Sequence, residues 1–139
     1  MNDDITVPIY RLASSVVTYI NNELRQYRLT FQQLSILTFL DRQTEPVNVK
    51  EIGVYFGISH PTTVGLISRM VRYDLLIVSV LETDRRQTLV RISKHGQIVF
   101  DQAKSVTDKV NKKFLNVLGK EDSEMFLKMI LDLENIFKV

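Results

Sequence analysis

The chain has no cysteine and no tryptophan, and only two histidines, three prolines and five glycines in 139 residues. Without cysteine it has no disulfide, no thiolate metal ligand and no thiol redox switch. His60 and His95 stand far apart with no carboxylate at ligand spacing, so no metal site is expected. No apolar run approaches the roughly 20 residues that span a bilayer. The opening MNDDITVPIY is acidic, where a secretory signal peptide would be basic. These absences lead us to expect a cytoplasmic protein without a membrane segment. There is no G-x-G-x-x-G, no P-loop, no H-x-x-x-H, no repeat and no low-complexity linker, so no cofactor is expected and an enzyme is the weakest functional class.

What remains is enough for one folded unit. Hydrophobic residues make up 45% of the chain, sufficient for a real core at this length. The most informative stretch runs from Ser59 to Gly96. Ser59 suits an N-cap, and Pro61 falls in the first turn, where a missing N–H costs little because those donors have no helical partner. Val64, Ile67, Met70 and Val71 recur at three and four and are expected to face the core, leaving Thr62, Thr63, Ser68, Arg69 and Arg72 outside. From Leu75 the period changes to two. Leu76 to Leu81 and Leu89 to Ile92 read as two strands of a hairpin, with the break at Glu82 to Gln87 carrying Asp84, Arg85 and Arg86.

Charge concentrates in the same place. Residues 59–96 hold six Lys and Arg against three acids, whereas residues 1–58 sum to minus one and residues 97–139 to zero. The whole net charge of +2 therefore originates in one helix and one hairpin. A cation gathered on a polar helix face and a hairpin tip suits a polyanion such as double-stranded DNA.

The flanking segments are helical by pattern. Residues 7–27 place Ala13, Val16, Val17, Ile20, Leu24 and Tyr27 on one face, with Val7, Tyr10 and Leu12 as a second apolar edge. Thr30 and Gln33 form a capping-box pattern before Leu34, Leu37 and Leu40. Residues 43–47 read as a connection, and Asn48 with Glu51 repeats the capping pattern before a short helix, Val49 to Phe56. Gly57 then supplies a turn into the Ser59 helix. Two short helices joined in this way make a helix-turn-helix, and the hairpin that follows makes it winged. Ser93 is the expected cap of a long helix reaching Leu118, Gly119 its stop, and residues 121–137 a last helix burying Phe126, Met129, Leu133, Ile136 and Phe137. The expected fold is mainly α with a small β-hairpin wing: residues 1–29 and 97–139 as dimerisation helices flanking a DNA-binding lobe at 30–96. Surplus apolar surface on the flanking helices implies a homodimer.

The order of helices, the stretch VKEIGVYFGISHPTTVGLISRMVRYDLLIVSVLETDRRQTLVRISKHG and above all the D-R-R wing followed by S-K-H-G resemble the MarR family of bacterial transcriptional regulators, over nearly the whole chain. The resemblance implies a homodimeric repressor on a pseudo-palindromic operator, released by a small ligand. It assigns Asp84 as the brace of the wing, Arg86 as the minor-groove side chain and Arg85 as its phosphate-binding neighbour. It places Pro61, Thr62, Thr63, Ser68 and Arg69 on the recognition helix. Two positions depart from the family. Gly65 stands where relatives of the SlyA type carry a base-reading arginine, which shifts major-groove readout to His60, Thr62 and Thr63 or to DNA shape. Asp74 stands where a glycine usually ends the helix, and is expected to keep the left-handed turn.

Plainer readings exist for each group. The paired arginines also fit an exposed edge kept soluble by charge, Arg69 and Arg72 a solvated helix face, and His60 a surface residue. Tyr10, Tyr19, Tyr27, Phe31 and Phe39 read as core or interface, or as walls of an effector pocket. A rival function is a winged-helix protein-interaction module, or an antirepressor that lacks specific DNA binding.

Overall fold

In the computed structural model, which describes residues 4–138, the chain forms six α-helices, one 3-10 turn and a three-stranded sheet. The first three residues of the acidic opening stretch lie outside the described residues. The chain divides into two units, the first ending at Lys104 and the second beginning at Ser105.

Helix α1 (Thr6–Leu24) begins where the Asp4 carboxylate accepts from the Thr6 and Val7 N–H groups. Only Ile20 and Leu24 of α1 are buried, and its first half carries exposed Ile9, Tyr10 and Leu12. The expected apolar face is therefore covered by this chain only at its C-terminal end. A 3-10 turn (Arg25–Tyr27) follows, and Arg28 takes a left-handed conformation at φ 57° before α2 (Phe31–Asp41). The Thr30–Gln33 capping box forms with both reciprocal bonds, an arrangement worth about 1 kcal/mol. Asn21 of α1 also accepts from the Phe31 N–H at 2.7 Å. Helix α2 is the centre of the core: Leu34, Ile36, Leu37 and Leu40 are all buried, each contributing about 1.5–3 kcal/mol.

Residues 43–47 are not wholly a connection. Val47–Asn48 is a short strand, β1, which the two-residue length hides from any periodicity. It pairs with β3 (Asp84–Ile92), which also pairs with β2 (Leu76–Leu81), so the sheet is antiparallel in the order β1-β3-β2. Asn48 caps α3 (Val49–Phe56) by accepting from the Lys50 N–H at 2.8 Å, a simple cap in place of the box expected with Glu51. Gly57, at φ 66°, ends α3 and turns the chain into α4 (His60–Arg72).

Asp74 keeps the left-handed turn after α4, at φ 58°. Ser93 then ties three segments together. Its hydroxyl donates to the Asp74 carbonyl and accepts from the Gly96 N–H at 2.8 Å, while its own N–H donates to the Leu75 carbonyl at 3.1 Å. Gly96, at the start of α5 (Lys94–Ala103), lies so close to the Leu75 carbonyl that a Cβ there would sit 2.0 Å from its oxygen. Gln97 of α5 reaches the Asp41 carboxylate at 3.3 Å, fastening α5 to the end of α2.

The long helix expected from Ser93 to Leu118 is divided at Lys104. Lys104 keeps a right-handed backbone and its N–H still bonds to Phe100, so the apolar spacing runs through the division unchanged and could not announce it. The second unit is α6 (Ser105–Phe137), interrupted at Gly119 by φ 81° and ψ 172°, a conformation open essentially to glycine alone. Phe114 and Phe126 face each other across that break with ring centroids 5.8 Å apart. The expected burial of the last helix does not occur within the chain. Phe126 is half-buried, but Met129, Leu133, Ile136 and Phe137 are exposed.

Candidate nucleic-acid interface

Helix α4 is positioned by what it buries. Thr63, Leu66, Ile67 and Met70 form its inner face. Two assignments from periodicity are thereby corrected. Val64 is 43% exposed, not core, and Thr63 is fully buried, not on the outer face. The cause is the crossing with α3: a Cβ on Gly53 would lie 2.8 Å from the Thr63 hydroxyl oxygen, so the two backbones meet where threonine is small enough to fit. Its hydroxyl donates to the Ser59 carbonyl at 2.8 Å, which removes the cost of burying it. Thr63 therefore holds the helix-turn-helix together and cannot reach a ligand.

The other helix residues named from the sequence are exposed: His60, Pro61, Thr62, Ser68, Arg69 and Arg72. Pro61, Gly65, Ser68 and Arg72, spaced four, three and four, lie along the line opposite the buried face. Ser59 caps the helix by accepting from the Thr62 N–H at 3.4 Å and donates its hydroxyl to that of Thr62 at 2.9 Å. Pro61 has no N–H and the Thr63 N–H bonds to the Ser59 carbonyl at 2.9 Å, so this first turn has few donors left for a phosphate. Arg69 and Arg72 sit in the last turn, where the helix dipole favours cations.

The wing differs from its expected form. The strand Asp84–Ile92 begins before the arginines, so only Glu82 and Thr83 form the turn. Its polar residues hide it from a periodicity test because most of them face solvent. Val80 pairs with Thr88 but Leu81 with Asp84, so Arg85, Arg86 and Gln87 are extra residues in β3 and bulge from the ladder. Such bulges redirect side chains. Asp84 secures this one, accepting from the Arg86 N–H at 3.1 Å, the Arg86 Nε at 3.2 Å and the Gln87 amide at 3.4 Å. The Arg86 N–H and then its guanidinium hold the Asp84 carboxyl below the usual carboxylate range. Even so held, the Arg86 side chain is 93% exposed. Gln87 in turn accepts from the Asn48 amide at 3.3 Å, linking the bulge to β1. Gln87 was not singled out from the sequence, and Asn48 only as the cap of α3. Their roles depend on a contact 39 positions apart, for which no local signal exists.

Between α4 and the wing lies an open cleft of about 360 Å³. His60, Val64, Ser68 and Val71 of α4 line one side, and Val78, Arg86 and Thr88 the other. The structure thus brings His60, Ser68 and Arg86 to one concavity, with Arg85 also exposed on the wing and Thr62, Arg69 and Arg72 on the exposed surface of α4. Among the described residues, no group of three His, Asp or Glu could hold a metal ion, and no helix is long and apolar enough to cross a membrane.

Comparison with known proteins follows the same lines. The sequence model of the MarR family matches residues 29–87, from the end of the α1 region through the wing bulge. The HTH-type transcriptional regulator MgrA of Staphylococcus aureus is 25% identical over 111 residues, 79% of this chain and 75% of that protein. Among solved structures, the transcriptional repressor CouR bound to a 23-mer DNA duplex superposes with a TM-score of 0.88 at 20% identity, covering 95% of this chain and 93% of that one. The S. aureus MepR–DNA complex gives 0.88 at 18% identity, over 97% of this chain and 100% of that one.

Proposed function

We propose that this chain, which belongs to the MarR family of transcriptional regulators, works as a homodimer on a pseudo-palindromic operator. Each protomer lays α4 in the major groove and its wing on the adjacent minor groove. The observation that carries this reading is the wing bulge. It turns an exposed guanidinium outward beside α4 while Asp84 fixes its base. A narrow A·T-rich minor groove has enhanced negative potential and attracts such a group, which reads groove width more than base identity. Arg69, Arg72 and Arg85 then meet phosphates, and His60, Pro61, Thr62 and Ser68 face base edges.

Dimerisation is supported by the apolar residues that α1 and α6 leave exposed, Ile9, Tyr10, Val117 and Phe137 among them. Two copies would present their recognition helices about 34 Å apart, one turn of DNA. A small effector would act by changing that spacing, because both half-sites must be engaged together. Repression is the sign of regulation that CouR carries and the one we assign here.

The test is a titration of the protein against the duplex upstream of its own gene, with an unrelated duplex beside it, at about 50 and 200 mM salt. About four phosphate contacts per protomer give a log–log salt slope near −7, with two chains per site. Equal weak binding to both duplexes would reduce the reading to charge attraction. No binding to either would replace it with a winged-helix protein-interaction module or an antirepressor.

A further inference from the structure

Before Arg72 in its last turn, the outer line of α4 carries no side chain able to make a paired hydrogen bond to a base. Its central position, Gly65, is exposed, with nothing within 4 Å of where a Cβ would be. Pro61 lies one turn before it and Ser68 one turn after. The flanking groups are small and largely apolar. Val64 is exposed on the wing side, beside Val71 and Val78 in the cleft. Thr62 accepts the Ser59 hydroxyl, which leaves its methyl and a single O–H donor free. Asn, Gln, Lys and Arg, the residues that read adenine and guanine bidentately, are missing from the first two turns.

From this we infer that α4 reads thymine methyl groups, Val64 being the specificity-determining residue and Gly65 the gap that lets the helix backbone approach the base edges closely. The inference rests on the DNA-binding reading above and narrows it. In the major groove the C5-methyl is the only apolar feature a base pair presents, and valine and threonine methyls are its natural partners. A glycine at the innermost point removes the side chain that would otherwise hold the helix away, as glycine does wherever a backbone must approach a ligand. The selected half-sites should therefore be rich in thymine opposite α4, and guanine should be indifferent there.

The experiment starts from a random duplex library, enriched on the full-length protein at about 150 mM salt, near physiological ionic strength. The winning duplex is then remade with uracil for thymine in both half-sites, which deletes only the methyl groups. Each methyl withdrawn from contact should weaken binding about fourfold, so one per half-site gives a loss of about fifteenfold. Val64→Ala should bind the thymine duplex more weakly and lose most of its preference over uracil. Gly65→Arg has open space for its side chain and should fold normally. It should bind the original duplex at least about tenfold more weakly and re-select half-sites containing guanine. An enriched duplex that binds equally with uracil would overturn the methyl readout, and unchanged affinity in Gly65→Arg would overturn the close approach. Failure to enrich any duplex would instead overturn the DNA-binding reading itself.

Discussion

Helices α4 and α6 show two ways in which an amphipathic helix can be completed. In α4 the four residues that face inward are buried within the chain, and nearly everything outside is polar, small or charged. In α6, a stretch of 33 residues, only Val106 and Val110 are buried, while Val117, Met129, Leu133 and Ile136 stand in solvent. The first helix is finished by its own fold. The second is finished only by something else, and a second copy of the chain is the occupant proposed here.

Four changes would break or sharpen this contrast. The largest effect belongs to Gly96→Ala, which drives a methyl into the Leu75 carbonyl at the root of the wing. It should cost more than about 3 kcal/mol of stability, read as a lower urea midpoint; an unchanged midpoint would refute the contact. Next, Ile136→Asp with Phe137→Asp alters residues that are exposed in the single chain. Helix content should survive, sedimentation should show monomers, and affinity for the enriched duplex should fall about 100-fold, or about 2.7 kcal/mol. A variant that stays dimeric would remove the end of α6 from the interface. Third, Arg86→Ala should leave the melting temperature alone and weaken binding by about 1–3 kcal/mol on an A·T-flanked site. Equal affinity would take Arg86 out of the interface.

The smallest effect is that of the brace. Asp84→Asn keeps an acceptor but loses the charge, and binding should fall only about threefold, as befits an exposed pair. The pH dependence has a definite sign. Because the folded carboxyl is held below its ordinary range, the brace is intact above that range and is lost only as pH falls through the lowered value. The Arg86 amide resonance should therefore titrate with a midpoint below about 3.9. A midpoint at or above that value would mean that the brace does not form in solution.

Much of this architecture could be read from local chemistry. Thr30, Ser59 and Ser93 cap the helices their side chains predict, and Asp74 turns left-handed where the helix ends. Caps and turns depend on residues within three or four positions, so sequence displays them. The errors fall where a distant partner decides. Thr63 is buried because Gly53 on another helix admits it, and a threonine standing between Thr62 and Val64 carries no mark of that. The early start of β3 is hidden because its bulge is held by Asp84 and by Asn48 across the sheet. On the outer face of α4 the sequence did expose the gap at Gly65, although the neighbouring Val64 was assigned to the core.

The Ser93 knot has a mechanical consequence. Both ends of the hairpin are clamped at one point, to the end of α4 through Asp74 and Leu75 and to the start of α5 through Gly96. A hairpin fixed at its root and free at its tip is a cantilever. Load applied at Arg86 bends the beam at its weakest section, the bulge where the ladder is interrupted, while the clamped root turns together with α4. Helix and wing are therefore tied at a common root, and in the proposed dimer a force that spreads the two copies would act behind that root, at the helices rather than at the fingertips.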